Sequence, residues 1–399
     1  MAEKQAQAGA GGMKVLIYSR GYPNPIEPGR SAFVREIIRF LPSEINITVV
    51  APVPFFLSQR MKNSAQKIPL MRIDRIGERE VEVWHPRFPL LPKNLLRPAV
   101  ARLQALFTNS CVKGIRDQSG IDLIHANWGF PDGCAVFWLS RKLGIPYVLT
   151  EHQGAIGDLL KIKFYNHLLG RAYRGSRKLI LVSESLKEPL AKVQGGIPEP
   201  EIIPNGIDTQ RFTTAPKRPR PEKLVYIGNL IPEKGVQYLL RALKLLLDKG
   251  KDYSLHIIGA GKYRPELEKE VTALGLGQKV VFKGAVAAES IPSLLHDYDV
   301  LVLPTMVESF GLVLIEALST GLPVLSTYSG GPETIVTPET GILVQPGSET
   351  ALADAILALE DRWDEFDPLK IRAICQQRFD LEKLVPRLAQ LYREALASQ

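Results

Sequence analysis

Cysteine is scarce in this chain, with three residues among 399, and none of them lies in a C-x-x-C pair. Cys111, Cys134 and Cys375 stand far apart in apolar contexts, which argues against a disulfide framework or a cysteine zinc site and favours a reducing compartment. Apolar runs are also short, since none approaches the ~20 residues that a membrane-spanning helix needs. We therefore expect a cytoplasmic protein. The segment Met1–Gly12, rich in small residues, is expected to be a disordered tail.

Several catalytic signatures are missing as well. The chain shows no Ser/His/Asp order and no nucleophile elbow. Gly259 and Gly261 form a G-x-G turn without the third glycine of a dinucleotide fingerprint, which argues against NAD. Asp297 and Asp299 have D-x-D spacing, but they lead into a buried strand, so we interpret both as structural residues. The sequence thus predicts neither a metal site nor a cofactor.

Charge is divided unevenly along the chain. Residues 1–204 contain 28 Lys and Arg against 17 Asp and Glu, a net charge of +11. Residues 205–399 contain 22 against 25, a net charge of −3, which together give the overall +8. The first half is therefore expected to face an anion, such as a phosphate, a diphosphate or an anionic membrane surface.

The chain is longer than one core usually organises, so two domains are expected. Apolar runs alternate with helical patterns in both halves, which is typical of doubly wound parallel sheets and predicts an α/β fold. We place the domains at 13–204 and 205–380, with a proline-rich linker at 210–222. Two such sheets facing each other would form a cleft for ligands.

The segment Glu308-Ser-Phe-Gly-Leu-Val-Leu-Ile-Glu316 follows a predicted buried strand, 300–303. We expect a helix from Ser309 or Phe310, which would bring Glu316 back to nearly the face of Glu308 after two turns. Backbone N–H groups at such a helix start suit an anion. The pattern therefore indicates a site for phosphate and sugar.

This segment resembles the E-x7-E motif of retaining GT4 glycosyltransferases (group 1, GT-B fold). Five other segments resemble that family in order and spacing: residues 203–208, 226–235, 257–261, 281–286 and 330–333. The resemblance implies two Rossmann-like domains facing across a cleft, the first on the acceptor side and the second binding a nucleoside-diphosphate sugar. It also implies that a last helix, within 381–399, packs back on the first domain. Catalysis would need no metal and no cofactor.

Site residues in the second half follow from the same resemblance. Glu308 would hold donor-sugar hydroxyls, Glu316 the ribose hydroxyls, and Lys234 the diphosphate. Asn229 stands where the family commonly has arginine, so one usual cation is absent or comes from elsewhere. The remaining nucleotide-sugar contacts would be the base loop at Val286 and the backbone N–H groups of Ser309, Phe310 and Gly311.

The first half offers fewer candidates. His152 follows a predicted strand and resembles the family's histidine near the anomeric carbon, so we assign it, Lys234 and Glu308 to catalysis. Gly29 resembles the family's glycine loop near the diphosphate or acceptor. Arg30 could replace the missing cation, and His125, at another strand end, could bind ligand or simply pack.

The acceptor is predicted from charge and pattern. Two basic amphipathic segments, 86–106 and 159–178, suggest peripheral contact with an anionic membrane and a lipid-linked acceptor, or an envelope or exopolysaccharide glycan. Two alternatives stay open: a UDP-sugar 2-epimerase, and a nucleotide-sugar-binding protein that has lost turnover. A nucleic-acid partner is disfavoured because no recognised binding fold accompanies the positive charge.

Overall fold

A computed structural model describes residues 12–56, 67–90, 99–154 and 156–397. The chain forms two compact units. The first runs to Ile203, apart from Ser183–Ser185, and resumes at Leu384; the second comprises Pro204–Lys383 together with Ser183–Ser185. Residues 1–11, which are most of the predicted tail, lie outside the described residues. So do residues 91–98, in the centre of the basic segment 86–106.

The first unit contains an eight-stranded sheet in the order β10-β9-β8-β7-β1-β2-β5-β4 and a parallel pair, β3 and β6. All neighbours in the large sheet are parallel except the β4–β5 hairpin at its edge. The central strands β7 and β8 are buried throughout, as parallel strands covered on both faces should be. The strands are β1 (Lys14–Tyr18), β2 (Asn46–Val50), β3 (Val53–Phe56), β4 (Met71–Ile76), β5 (Arg79–Trp84), β6 (Arg87–Leu90), β7 (Leu123–Asn127), β8 (Tyr147–Glu151), β9 (Lys178–Leu181) and β10 (Glu201–Ile202).

Helices of this unit connect the parallel strands. They are α1 (Ala32–Phe40), α2 (Val100–Ser119), α3 (Cys134–Leu143), α4 (Ile156–Leu160), α5 (Lys163–Gly175) and α6 (Lys187–Ala191). The start of the basic segment 86–106 therefore belongs to the strand β6, and its end belongs to the long helix α2.

The second unit contains a six-stranded sheet, entirely parallel, in the order β13-β12-β11-β14-β15-β16. Its strands are β11 (Lys223–Ile227), β12 (Ser254–Ile258), β13 (Val280–Gly284), β14 (Val300–Leu303), β15 (Val324–Thr327) and β16 (Gly341–Val344). Its helices are α7 (Val236–Asp248), α8 (Arg264–Ala273), α9 (Ile291–Leu295), α10 (Leu312–Ser319), α11 (Pro332–Ile335), α12 (Glu349–Asp361) and α13 (Pro368–Phe379).

The strand order of this sheet reverses between β11 and β14. Loops that leave the carboxyl ends of two such strands diverge, and the crevice between them is where ligands bind in open α/β sheets. The order is that of a doubly wound Rossmann-like sheet, which confirms the predicted α/β fold class. It also directs attention to the loops after β11 and β14.

The last helix, α14 (Leu381–Ala397), lies in the first unit from Leu384 onwards. The hydroxyl of Tyr392 on this helix lies 2.7 Å from Nδ1 of His125 on β7. Lys178, which begins β9, donates to the Glu394 carboxylate at 2.8 Å. Aromatic packing and an ion pair thus fix this helix to the sheet.

The prediction of a linker at 210–222 is wrong. This segment packs on the second unit, where Ala215 N–H donates to the Thr320 carbonyl at 2.7 Å and Lys217 Nζ to the Trp363 carbonyl at 2.7 Å. Arg218 pairs with Asp299, whose carboxylate also accepts the Lys223 N–H at 2.8 Å. The prolines interrupt regular structure here, but the polar groups still find partners within one unit.

Candidate functional site

Two loops meet at the switch point of the second sheet. The turn 232–234, between β11 and α7, is joined to the loop after β14 through the Met306 N–H, which donates to the Glu233 carbonyl at 2.8 Å. Gly235 follows that turn with φ of 71°. A Cβ placed on it would lie 1.9 Å from the carbonyl oxygen of Pro304, so only glycine permits this approach.

Lys234 and Glu308 form an ion pair across these two loops. Nζ of Lys234 lies 2.6 Å from Oε2 of Glu308, with the two side chains 21% and 14% exposed. The Glu308 backbone is fixed to the loop after β15, because its N–H donates to the Ser329 carbonyl at 2.9 Å and its carbonyl accepts the Gly331 N–H at 2.8 Å. Two of the predicted catalytic residues are thus in direct contact.

The glycine pair after β15 allows that attachment. A Cβ on Gly331 would lie 2.3 Å from the backbone nitrogen of Phe310, and one on Gly330 would lie 2.8 Å from the Glu308 carbonyl oxygen. Both carboxylate oxygens of Glu333 accept the Gly330 N–H, at 3.0 and 2.9 Å. The Gly-Gly-x-x-Glu segment therefore holds the Glu308 loop in place.

The predicted helix start at Ser309 or Phe310 is wrong by two to three residues. Gly311 adopts φ of 97°, a left-handed conformation that ends the preceding turn, and α10 begins at Leu312. Ser309 donates its N–H to Oε1 of Glu308 at 3.1 Å, while Phe310 is buried with its ring 5.9 Å from that of Phe379. Within the part of the chain that the structure describes, no acceptor pairs with the Gly311 N–H.

Glu316 is the fifth residue of α10, so it lies little more than one turn into the helix rather than two. Glu308 precedes the helix, and the two carboxylates do not share a helical face. Burial raises the pKa of Glu316 to about 7, against the opposing charge of Arg211. No described hydrogen-bond donor satisfies its carboxylate, although the residue is half-buried. The half-buried carboxylate is therefore open to solvent or to the hydroxyls of a ligand.

The other second-half candidates follow β11 and β13, two strands of the same sheet that are separated by β12. Asn229 is exposed in the loop after β11, and its carbonyl accepts the Tyr226 hydroxyl at 2.8 Å. Val286 is half-buried in the loop after β13. Both positions are compatible with contact to a ligand at this edge of the sheet.

In the first unit, His152 lies just after β8 with its ring buried between Phe33 and Trp128, at centroid distances of 4.9 and 5.0 Å. Its Nε2 lies 3.1 Å from the amide oxygen of Asn127. Because that oxygen only accepts, Nε2 carries the proton and Nδ1 presents a lone pair, which has no partner among the described residues. Burial lowers the pKa of His152 to about 3, so the ring is neutral.

His125 differs from His152 because both its ring nitrogens are engaged, at 2.7 Å to Tyr392 and 2.7 Å to Thr150. That geometry supports packing rather than ligand binding. Arg30 pairs with Glu27 at 2.7 Å. A Cβ on Gly29 would meet nothing within 4 Å, so the protein itself does not require glycine there.

Two buried carboxylates in the first unit escaped the sequence analysis. Asp132 accepts the Arg20 N–H and the Gln104 amide, each at 2.7 Å, and burial raises its pKa to about 6. Glu151 accepts the Tyr173 hydroxyl at 2.6 Å and three backbone N–H groups. Asp132 belongs to no motif, and Glu151, which precedes the candidate His152, was given no role of its own. Both act by positioning the loops at the carboxyl edge of the first sheet.

The described residues contain neither a candidate metal site nor a membrane-spanning helix. Within them, no three histidine, cysteine, aspartate or glutamate side chains come together in a way that could hold a metal ion. No described helix combines the length and apolar character needed to cross a bilayer.

Sequence and structure comparisons agree with this architecture. The profile described as Glycosyltransferase Family 4 matches residues 29–211, and that described as Glycosyl transferases group 1 matches residues 208–374. One relative is TuaC of Bacillus subtilis (strain 168), assigned by name to teichuronic acid biosynthesis as a glycosyltransferase. It is 28% identical, over 96% of this chain and 98% of TuaC.

Solved structures match over nearly the whole chain. Sucrose-phosphate synthase from Thermosynechococcus elongatus superposes with a TM-score of 0.78 at 20% identity, covering 97% of this chain and all of that one. HepE from Anabaena, in complex with UDP-glucose, gives a TM-score of 0.69 at 22% identity, with the same coverage. These likenesses establish the GT-B fold. Together with the two profiles, which span 29–374, they show that the chain belongs to the GT4-type (group 1) family of glycosyltransferases.

Proposed function

We propose that this glycosyltransferase moves a sugar from a nucleoside-diphosphate donor, with retention of anomeric configuration and without a metal. The observation that carries the proposal is the Lys234–Glu308 pair, 2.6 Å apart at the start of α10 and on the same unit as Glu316. HepE, whose structure contains UDP-glucose, supports a nucleotide-sugar donor.

In this proposal, the positively charged groups bind the diphosphate and the carboxylates bind hydroxyl groups. Departure of the nucleoside diphosphate builds negative charge, which the Lys234 ammonium and the unpaired Gly311 N–H would stabilise. Glu308 would accept hydrogen bonds from hydroxyls of the donor sugar while it orients Lys234. Glu316 would accept hydrogen bonds from the two ribose hydroxyls. For His152, in the first unit, a catalytic role stays part of the proposal, and its buried Nδ1 has no partner among the described residues. A front-face reaction needs this alignment more than a side-chain base, because the departing phosphate oxygen can take the acceptor proton.

A thermal-shift screen tests donor binding. UDP, GDP, ADP and their sugar conjugates would be compared on the wild type and on Glu316→Ala, and we expect stabilisation by one nucleotide class that the variant weakens. The alternatives then separate by product. A 2-epimerase would convert the donor itself, and a protein without turnover would bind the donor and leave it intact. The family assignment does not favour either alternative.

The pKa of Glu316 predicts a pH effect on stability. A folded-state pKa of about 7 lies above the ordinary glutamate value, so ionising the half-buried carboxylate destabilises the fold. The free energy of unfolding should fall by about 2–3 kcal/mol as pH rises from about 4.5 to about 8, and Glu316→Gln should remove that part of the slope. Urea unfolding of both proteins across this range is the measurement. Superimposable pH profiles would contradict the burial of an ionisable carboxyl.

Metal removal should leave transfer nearly unchanged. Fixed basic side chains of the protein, Lys234 among them, would supply together with backbone N–H groups the positive potential that a divalent cation provides in other transferases. We expect initial rates after exhaustive chelation to stay within about twofold of those with added magnesium or manganese. A collapse of the rate under chelation, reversed by one cation, would show that the diphosphate is held by a metal instead.

For the acceptor, we propose a lipid-linked or envelope glycan at an anionic membrane surface. The enzyme would be a cytoplasmic protein that binds this surface peripherally. TuaC's assigned role in teichuronic acid biosynthesis supports an envelope glycan. Where α5 begins, Ile162 just before it and Phe164 in its first turn are 52% and 51% exposed, and the lysines 161 and 163 beside them are also exposed. Apolar tips between lysines suit insertion among anionic headgroups.

The double variant Ile162→Ser/Phe164→Ser should bind phosphatidylglycerol vesicles about tenfold more weakly than the wild type, because two apolar side chains no longer insert. Leu369→Ser is the matched control, since Leu369 is 68% exposed on the second unit. Flotation with neutral and anionic vesicles measures both. Equal binding by all three proteins would remove this surface from the proposal.

A further inference from the structure

The charge of the nucleotide site of the second unit does not balance a diphosphate. Lys234 is neutralised by Glu308 at 2.6 Å, and Asn229, exposed in the same loop region after β11, carries no charge. A nucleoside-diphosphate sugar brings two negative charges. Fixed cations are therefore needed beyond the Lys234–Glu308 pair, because backbone N–H groups contribute only partial charge.

The loop after β12 touches the Asn229 loop directly. The Leu230 N–H donates to the Ala260 carbonyl at 2.9 Å, and the Tyr263 N–H donates to the Leu230 carbonyl at 3.1 Å. A Cβ on Gly261 would lie 2.0 Å from the Leu230 carbonyl oxygen, so glycine is required for this contact. Residues 260–263 and residues 229–230 therefore form one surface at the carboxyl edge of the sheet.

One basic side chain of that surface has no acidic partner. Lys262 is exposed, and none of the ion pairs among the described residues includes it. Arg264, two residues later, is different: its guanidinium pairs with Glu268 at 2.7 Å and stacks over the Phe282 ring at 5.4 Å. Arg264 is thus held by two partners, whereas the Lys262 ammonium can bind an anionic ligand.

We propose that Lys262 supplies a diphosphate-binding cation of the donor site, acting beside the uncharged Asn229. The inference rests on the proposed function, because it assigns a further contact of the same nucleotide. A flexible ammonium on a loop attached to the Asn229 loop meets a phosphate as a point charge, without the fixed fork geometry that an arginine would impose. Lys262 therefore sets affinity for the charged part of the donor and not for the nucleoside.

The test compares nucleotides with and without phosphate. Calorimetric titration of Lys262→Gln should show affinity for UDP or GDP reduced about tenfold, with a weaker dependence on salt. Affinity for uridine or guanosine should be unchanged. Lys269→Gln, which removes an exposed lysine further along α8, should change neither.

A second substitution makes the assignment specific. Asn229→Arg in the Lys262→Gln background should restore most of the lost affinity, because the two positions belong to adjoining loops. Undiminished UDP and GDP binding by Lys262→Gln, or an equal loss for nucleosides, would overturn the proposal. If Lys234→Ala and Glu316→Ala still weaken nucleotide binding in that case, the proposed function survives without it. If the wild type binds no nucleotide, the proposed function fails first.

Discussion

Replacing Lys234 by alanine should lower kcat/KM for glycosyl transfer by about 10²–10³, the range seen when one preorganised charge-stabilising group is removed. The loss has two parts. The leaving diphosphate loses a cation, and Glu308 loses the partner that lies 2.6 Å away, which leaves an unpaired carboxylate next to an anionic donor. Most of the effect should therefore appear in kcat, with a further loss in donor affinity from repulsion.

Two companion variants separate these parts. Lys234→Ala/Glu308→Gln should bind the nucleotide more tightly than Lys234→Ala alone, because the repelling carboxylate is gone, but it should not recover kcat. Lys244→Ala, on the surface of α7 where Lys244 pairs with Asp248, should keep wild-type kinetics. Steady-state rates and calorimetric titration report the two parts. A drop below about threefold for Lys234→Ala would remove this lysine from the catalytic account.

Gly235→Ala should cost about 3 kcal/mol or more of unfolding free energy and also abolish transfer. A Cβ there would lie 1.9 Å from the Pro304 carbonyl oxygen, so the loops after β11 and β14 must separate, and with them Lys234 and Glu308. The residue also has φ of 71°, which by itself penalises alanine by about 1–2 kcal/mol.

Gly250→Ala isolates the second contribution. Gly250 has φ of 75° at the other end of the same helix, and a Cβ on it would meet nothing within 4 Å. We expect a loss of about 1 kcal/mol with full activity. Urea unfolding and donor turnover of both variants give the comparison. Equal destabilisation by the two changes would mean that the Pro304 contact is not rigid.

The sequence anticipated what depends on local periodicity. Buried parallel strands are continuous apolar runs, so β7, β8 and β14 stand out, and the α/β class follows. The β4–β5 hairpin was not recognisable in the sequence. An exposed edge strand such as β4, in which Ile73 is 47% exposed, mixes apolar and charged residues. The start of α10 was misplaced because the left-handed Gly311 interrupts an otherwise continuous helical pattern.

The sequence analysis named Lys234 and Glu308 as separate candidates and did not predict the contact between them. Lys234 and Glu308 are 74 residues apart, and their contact depends on Gly235 meeting Pro304, which no single-segment pattern encodes. The resemblance to GT4 enzymes supplied both residues as separate contacts. Asp132 and Glu151 became visible only through burial and the donors that surround each carboxylate.

Proton NMR of the first sugar released from a nucleoside-diphosphate α-sugar, with water as acceptor, would show both turnover and its stereochemistry. The protein would be incubated with UDP-glucose, UDP-N-acetylglucosamine and GDP-mannose, and Lys234→Ala would serve as the inactive control. We expect slow hydrolysis of one donor, with the α-anomer appearing before mutarotation. Release of the β-anomer first would contradict retention, and binding of a donor that stays intact would contradict turnover at this site.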